Sequence, residues 1–144
     1  MVSGAPAPPG PGLSSAPALV ALSEPAVTTP AVSKTLFEKI IDRELPATIV
    51  YEDELCLAFK DIHPCAPMHV LLVPKKPIVQ LSQAAPEDQA LLGHLMLTAT
   101  KVAALEGLGE AYRLVINNGA AAGMSVSHLH LHLIGGRPLK WPPA

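Results

Sequence analysis

Near the C-terminus the chain reads Ser125-Val126-Ser127-His128-Leu129-His130-Leu131-His132-Leu133-Ile134, and this stretch limits the fold more than any other. An extended strand sends successive side chains to opposite faces. His128, His130 and His132 therefore line one face, and Leu129, Leu131 and Leu133 the other. The leucine face belongs to a core. The histidine face belongs to a site, because three adjacent titratable rings pack no better there than Thr or Val would.

The rest of the expected domain, from residue 33 onward, must supply the core and the rest of the site. The chain has 144 residues, which fits one domain and a tail. About half are apolar and the formal net charge is -2, so a core is affordable and no electrostatic footprint for nucleic acid exists. No apolar run approaches the roughly 20 residues that cross a bilayer, so no membrane partner is expected. Cys56 and Cys65 form no CxxC pair and read as thiols of a reducing compartment.

Residues 1–32 are mostly Ala, Pro, Gly, Ser and Thr with Glu24 as their one charge, a composition that predicts a disordered extension ahead of a domain over 33–144. The tail lacks Arg and a secretory pattern, which points to the cytoplasm; an organelle is the alternative, if residues 1–32 act as a transit peptide. Thr35-x-x-Glu38 offers a capping box for a short helix with Leu36, Phe37, Ile40 and Ile41 on one face. Strands are expected over 48–52, 55–60, 68–73 and 112–117, with a tight turn at Glu52-Asp53-Glu54. Pro86, Glu87 and Asp88 open a long helix whose packed face is Leu91, Leu92, Leu95, Met96, Ala99, Val102 and Ala103. The fold class is α+β: about five strands, mainly antiparallel, with one long and one short helix. Trp141 near the end is either a clasp on its own domain or an interface anchor.

Two chemistries use imidazoles in this pattern. Histidines at i and i+2 of a strand can share a zinc ion, but rings at i and i+4 start about 13 Å apart, too far to converge easily on one ion. No metal or other cofactor is therefore expected. The second chemistry is nucleophilic attack on phosphorus by a neutral imidazole, with neighbouring donors holding the phosphoryl oxygens. Gly119 and Gly123 in the preceding loop would let backbone amides approach an anion, and Ser125 adds a hydroxyl.

The His128-to-Ile134 stretch resembles the His-φ-His-φ-His-φ-φ signature of the histidine triad superfamily. Residues 92–96, Tyr112-Arg113 with Asn117, Gly135-Gly136-Arg137 and Trp141-Pro142-Pro143 are similar to its Hint branch, the nucleotide-binding purine nucleoside phosphoramidases. The resemblance implies His130 as nucleophile, His128 and His132 as helpers, His69 as a fourth supporting histidine, and Ser125 as an aid to proton delivery. It implies Asp61 at the ribose, and an apolar purine slot of Leu36, Phe37, Ile40, Phe59, Ile62 and Leu71. Asn117, Gly123, Ser125, His130 and His132 would meet the phosphate and leaving group. Met124 stands where a Gln is common in this branch, and Ser127 where a large aromatic is. His63 and His94 match no position of the site.

The resulting expectation is a homodimeric enzyme that hydrolyses adenosine 5′-monophosphoramidates and related AMP adducts through a nucleotidyl-histidine. A nucleotide-binding regulatory protein without catalysis is one alternative. A dinucleoside polyphosphate hydrolase like those of the Fhit branch is another, against which the terminal Trp141-Pro142-Pro143 argues.

Overall fold

A computed structural model describes residues 33–144; the extension expected over 1–32 lies outside the described residues. Thr35 caps the first helix as its spacing predicts: its Oγ1 accepts from the Glu38 amide at 3.2 Å, and Glu38 reaches back to the Thr35 amide at 2.9 Å. This helix, α1 (Leu36–Ile41), buries Phe37 and Ile40, while Leu36 turns outward. Strands β1 (Ile49–Glu52) and β2 (Cys56–Lys60) follow, joined by a turn in which Asp53 Oδ1 accepts from the Leu55 and Cys56 amides. Then come β3 (Met68–Pro74), the long helix α2 (Gln89–Leu105), β4 (Tyr112–Val115) and β5 (Leu131–Gly135).

The five strands form one antiparallel sheet in the order β1-β2-β3-β5-β4. β3 is its central strand and is buried on both faces, which its run of Val and Leu permits. On one face Cys56, Ala58, Val70, Leu72, Leu129, Leu131 and Leu133 pack under α2. On the other, Leu57, Phe59, Leu71 and Val73 pack under Phe37 and Ile40 of α1. The histidine face therefore has a small core of its own beside the site.

Three expectations shift. The α-helix starts at Gln89, not Pro86: residues Pro86–Asp88 make a 3₁₀ turn, with the Asp88 carboxylate drawn back to the Ala85 amide and to Lys76. On α2, Thr98 is buried and Met96 is 48% exposed, so the packed stripe is narrower than the apolar pattern suggests. Finally, the ladder of β5 begins only at Leu131. Leu129 gives its N–H to the Ile78 carbonyl at 2.7 Å, and β4 ends where Val115 pairs His132, so the chain upstream has no ladder partner on that side. The alternation nevertheless persists through His128, because the leucines remain locked under α2.

Leu131 is 2% exposed at the centre of the larger core. Leu131→Ala should cost about 3 kcal/mol of unfolding free energy through lost burial and a residual cavity, read as a lower urea midpoint at unchanged slope.

Candidate active site

Sheet register assembles the site across three strands. Phe59 pairs Leu71, and Leu71 pairs His132, so these side chains share one face. Two residues away on the same face, the Asp61 amide donates to the His69 carbonyl at 2.9 Å, extending the β2–β3 ladder beyond the end of β2. His69 then stands diagonally from His132, within reach of a ring. The result is a polar chain: Asp61 Oδ2 lies 3.5 Å from His69 Nε2, which lies 2.8 Å from His132 Nδ1. The His132 and His130 rings follow at 5.1 Å between centroids. Phe37 meets His130 edge-on at 4.8 Å and His128 at 6.3 Å, covering the apolar side.

Backbone partners determine which ring nitrogen carries each proton, since a nitrogen that accepts cannot also be the N–H. The Cys65 amide donates to His69 Nδ1 at 3.1 Å, so the His69 proton sits on Nε2 and is given to His132 Nδ1. The His132 proton consequently sits on Nε2, a buried atom with no hydrogen-bond partner among the described residues. His130 Nδ1 faces the His128 carbonyl at 2.7 Å and must donate to it, which leaves a lone pair on His130 Nε2. His128 donates from Nε2 to the Pro74 carbonyl at 2.8 Å, anchoring the approach to β5. The site thus presents one nucleophilic nitrogen and, beside it, one unspent donor.

Burial favours the neutral form of His69, His130 and His132. Burial pushes His132 down to about 3, helped by the adjacent His130 and His69. Burial likewise lowers His130, against the opposing pull of the His128 carbonyl, and lowers His69 despite Asp61. The bonded pair His69 Nε2 and His132 Nδ1 also forms, with Asp61, a group whose ligand-type atoms lie within 4.8 Å of one another. Spacing along one strand could not show this cluster; in it the two nitrogens are already engaged with each other.

Of the expected purine slot, Phe37, Ile40, Phe59 and Leu71 come together, joined by Leu57, Val73 and Val126, which sequence reasoning did not single out. Leu36 and Ile62 stand outside it, 49% and 84% exposed. Asn117 sits beside Gly123, where an added Cβ would approach its Nδ2 to 3.6 Å. Gly123 is left-handed, and the amides of Ala122, Gly123 and Met124 bond to carbonyls within their own 3₁₀ turn, so these three are not free for an anion. Ser125 is exposed at the mouth of the loop. His63 is exposed, and His94 lies on α2, bonded to Asp53 at 2.7 Å away from the site. Cys56 is an inert thiol, pushed up to about 12 by burial and by Asp53.

A five-stranded antiparallel sheet with one long covering helix, carrying alternating imidazoles in a fixed proton register, defines a protein of the histidine-triad type. The chain belongs to the HIT domain family, whose model matches residues 42–139, and within it to the Hint branch. An uncharacterised HIT-like protein of Synechocystis is 68% identical over 109 residues, covering 76% of this chain and 96% of that one. The protein named adenylylsulfatase HINT1 of Arabidopsis thaliana is 50% identical over 117 residues, covering 80% of each chain. The crystal structure of a HIT family hydrolase from Legionella pneumophila superposes with a TM-score of 0.75 at 47% identity, covering 77% of this chain and all of that one.

His130 and His132 are held below their ordinary value of 6.5 in the folded state, whereas the unfolded chain binds protons there near 6.5. The unfolded state then holds more protons as pH falls below that value, so stability is present above it and is lost toward acid. Unfolding free energy measured in urea should drop between about pH 6.5 and 5, and His132→Phe should flatten that slope by up to about 1.4 kcal/mol per pH unit, one proton's worth.

Proposed function

We propose that this protein hydrolyses adenosine 5′-monophosphoramidates and related AMP adducts through a nucleotide carried covalently on His130. One observation carries the reading: the His128 carbonyl holds the Nδ1 proton of His130, so the Nε2 lone pair is available in a neutral ring. In the first step Nε2 attacks phosphorus and the bond from phosphorus to the amine nitrogen breaks. The amine leaves with a proton, and we assign its relay from solvent to the exposed Ser125 hydroxyl. The ring becomes cationic, and its Nδ1–H stays on the His128 carbonyl, which stabilises that charge. Water then attacks phosphorus, the bond to His130 breaks, the water's proton departs to solvent, and AMP is released.

His132 Nε2–H, lacking an acceptor among the described residues, suits a phosphoryl oxygen whose charge grows during attack. The cluster under Phe37 and Ile40 supports a purine beside the site, and Asp61 is a carboxylate near enough to take ribose hydroxyls. We also read the protein as a homodimer: β4 is an edge strand, and Leu97 on α2 and Trp141 are 71% and 80% exposed. Among the described residues no helix is long and apolar enough to cross a membrane.

The adenylylsulfatase among the relatives supports an adenylyl adduct as substrate and adds adenosine 5′-phosphosulfate to the test. Steady-state rates should be compared on an adenosine phosphoramidate, adenosine 5′-phosphosulfate and a diadenosine polyphosphate, each with and without EDTA. The expected outcome is repeated turnover of the phosphoramidate, unaffected by EDTA. Binding of AMP without turnover of any substrate would instead favour a nucleotide sensor, and preference for the diadenosine compound would favour a polyphosphate hydrolase. His130→Ala should lower kcat by about 10⁴-fold or more while AMP affinity, measured by calorimetry, stays within about threefold.

A further inference from the structure

The proton register of the site depends on a residue outside it. The Cys65 amide on Nδ1 assigns the His69 proton to Nε2, a register that the Asp61 carboxylate 3.5 Å from Nε2 also favours, and Cys65 belongs to an exposed loop between β2 and β3 rather than to the sheet. An exposed loop amide is a weak fixed point unless something holds the loop. Arg137 does so: its Nη2 donates to the Cys65 carbonyl at 3.0 Å, and its Nη1 to the Pro138 carbonyl at 3.1 Å.

The chain brings Arg137 there by a close turn. Gly135 pairs Met68 at the end of the β3–β5 ladder, and Gly136 adopts φ +95°, a conformation that disfavours side chains. A Cβ on Gly136 would also stand 3.0 Å from Pro67 Cβ and 3.3 Å from the Met68 amide, so the turn lies directly on the loop it clamps.

We propose that Arg137 is a positioning residue that, by holding the Cys65 carbonyl, keeps the Cys65 N–H on His69 Nδ1 and so fixes the protons of His69 and His132. In the alternative register His69 would carry its proton on Nδ1, and His132 would have to donate from Nδ1. The His132 Nε2 would then turn a lone pair, not an N–H, toward a phosphoryl oxygen. That change repels the charge developing in the transition state and leaves base and ribose contacts untouched, so its signature is a fall in kcat at constant KM.

This inference rests on the reading of His130 as nucleophile, but its first test does not. The imidazole nitrogens of ¹⁵N-histidine-labelled, ligand-free protein report their own protonation by NMR. In the wild type His69 should show an unprotonated Nδ1 and a protonated Nε2. In Arg137→Ala both His69 nitrogens should shift toward intermediate values, with Arg137→Lys restoring part of the wild-type pattern through an ammonium donor to the Cys65 carbonyl. On an adenosine phosphoramidate, Arg137→Ala should lose about fivefold in kcat, the worth of one hydrogen bond, with KM within about twofold. Unchanged His69 nitrogen shifts in Arg137→Ala would overturn the proposal whatever happens to the rate, and so would a rise in KM at constant kcat. A wild type that turns over no AMP adduct would sink the functional reading alone, because the nitrogen shifts still decide the role of Arg137.

Discussion

The hydrogen bond from His130 Nδ1 to the carbonyl of His128 is the interaction on which the site turns. A neutral imidazole has one proton and two nitrogens, and an acceptor fixed at one nitrogen makes the other a base or nucleophile. Here the acceptor is main chain, two residues back, and cannot swing away as a side chain could. It holds because the segment from His128 to Leu131 is fixed in place. That in turn depends on Leu129 and Leu131, buried under α2, and on His128 itself, tied to the Pro74 carbonyl.

The sheet adds a second register that runs the other way. Antiparallel pairing sets Asp61 against His69 and His69 diagonal to His132, so three polar side chains from three strands meet with no loop search. Each ring there is held neutral by burial; the Cys65 amide places the His69 proton, and His69 in turn places that of His132. The energetic consequence is a site whose donors are oriented before any ligand arrives, which is what electrostatic stabilisation of a developing charge requires. Its cost is a protein that loses stability toward acid, because the unfolded chain binds protons that the buried rings refuse.

Much of this was legible in the sequence because period-2 alternation and capping chemistry are local. The capping box at Thr35, the strand near Met68 and the facing of the leucines followed from residues a few positions apart. The start of α2 and its narrower stripe did not, since the Asp88 carboxylate is drawn to Lys76 and Ala85, and Thr98, outside the expected stripe, is buried while Met96 within it is half exposed. The imidazole triad was readable, but its proton register was not: the Pro74 and His128 carbonyls and the Cys65 amide are main-chain groups that no composition or spacing reveals. The resemblance named Asp61, His69 and His132, but their mutual contact was hidden for a similar reason, being set by the pairing of β3 with β5 and with the segment just past β2. The expectation that Gly119 and Gly123 free their loop's amides for an anion failed at Ala122, Gly123 and Met124, because the short 3₁₀ turn uses those amides itself.

The central claim is that the neutral Nε2 of His130 attacks phosphorus directly. Hydrolysis of an adenosine phosphoramidate chiral at phosphorus, carried out in isotopically labelled water, tests it most directly. Two successive in-line displacements, first by His130 and then by water, give net retention of configuration. Net inversion would mean that water attacks in a single step, and would contradict a nucleotidyl-His130 intermediate.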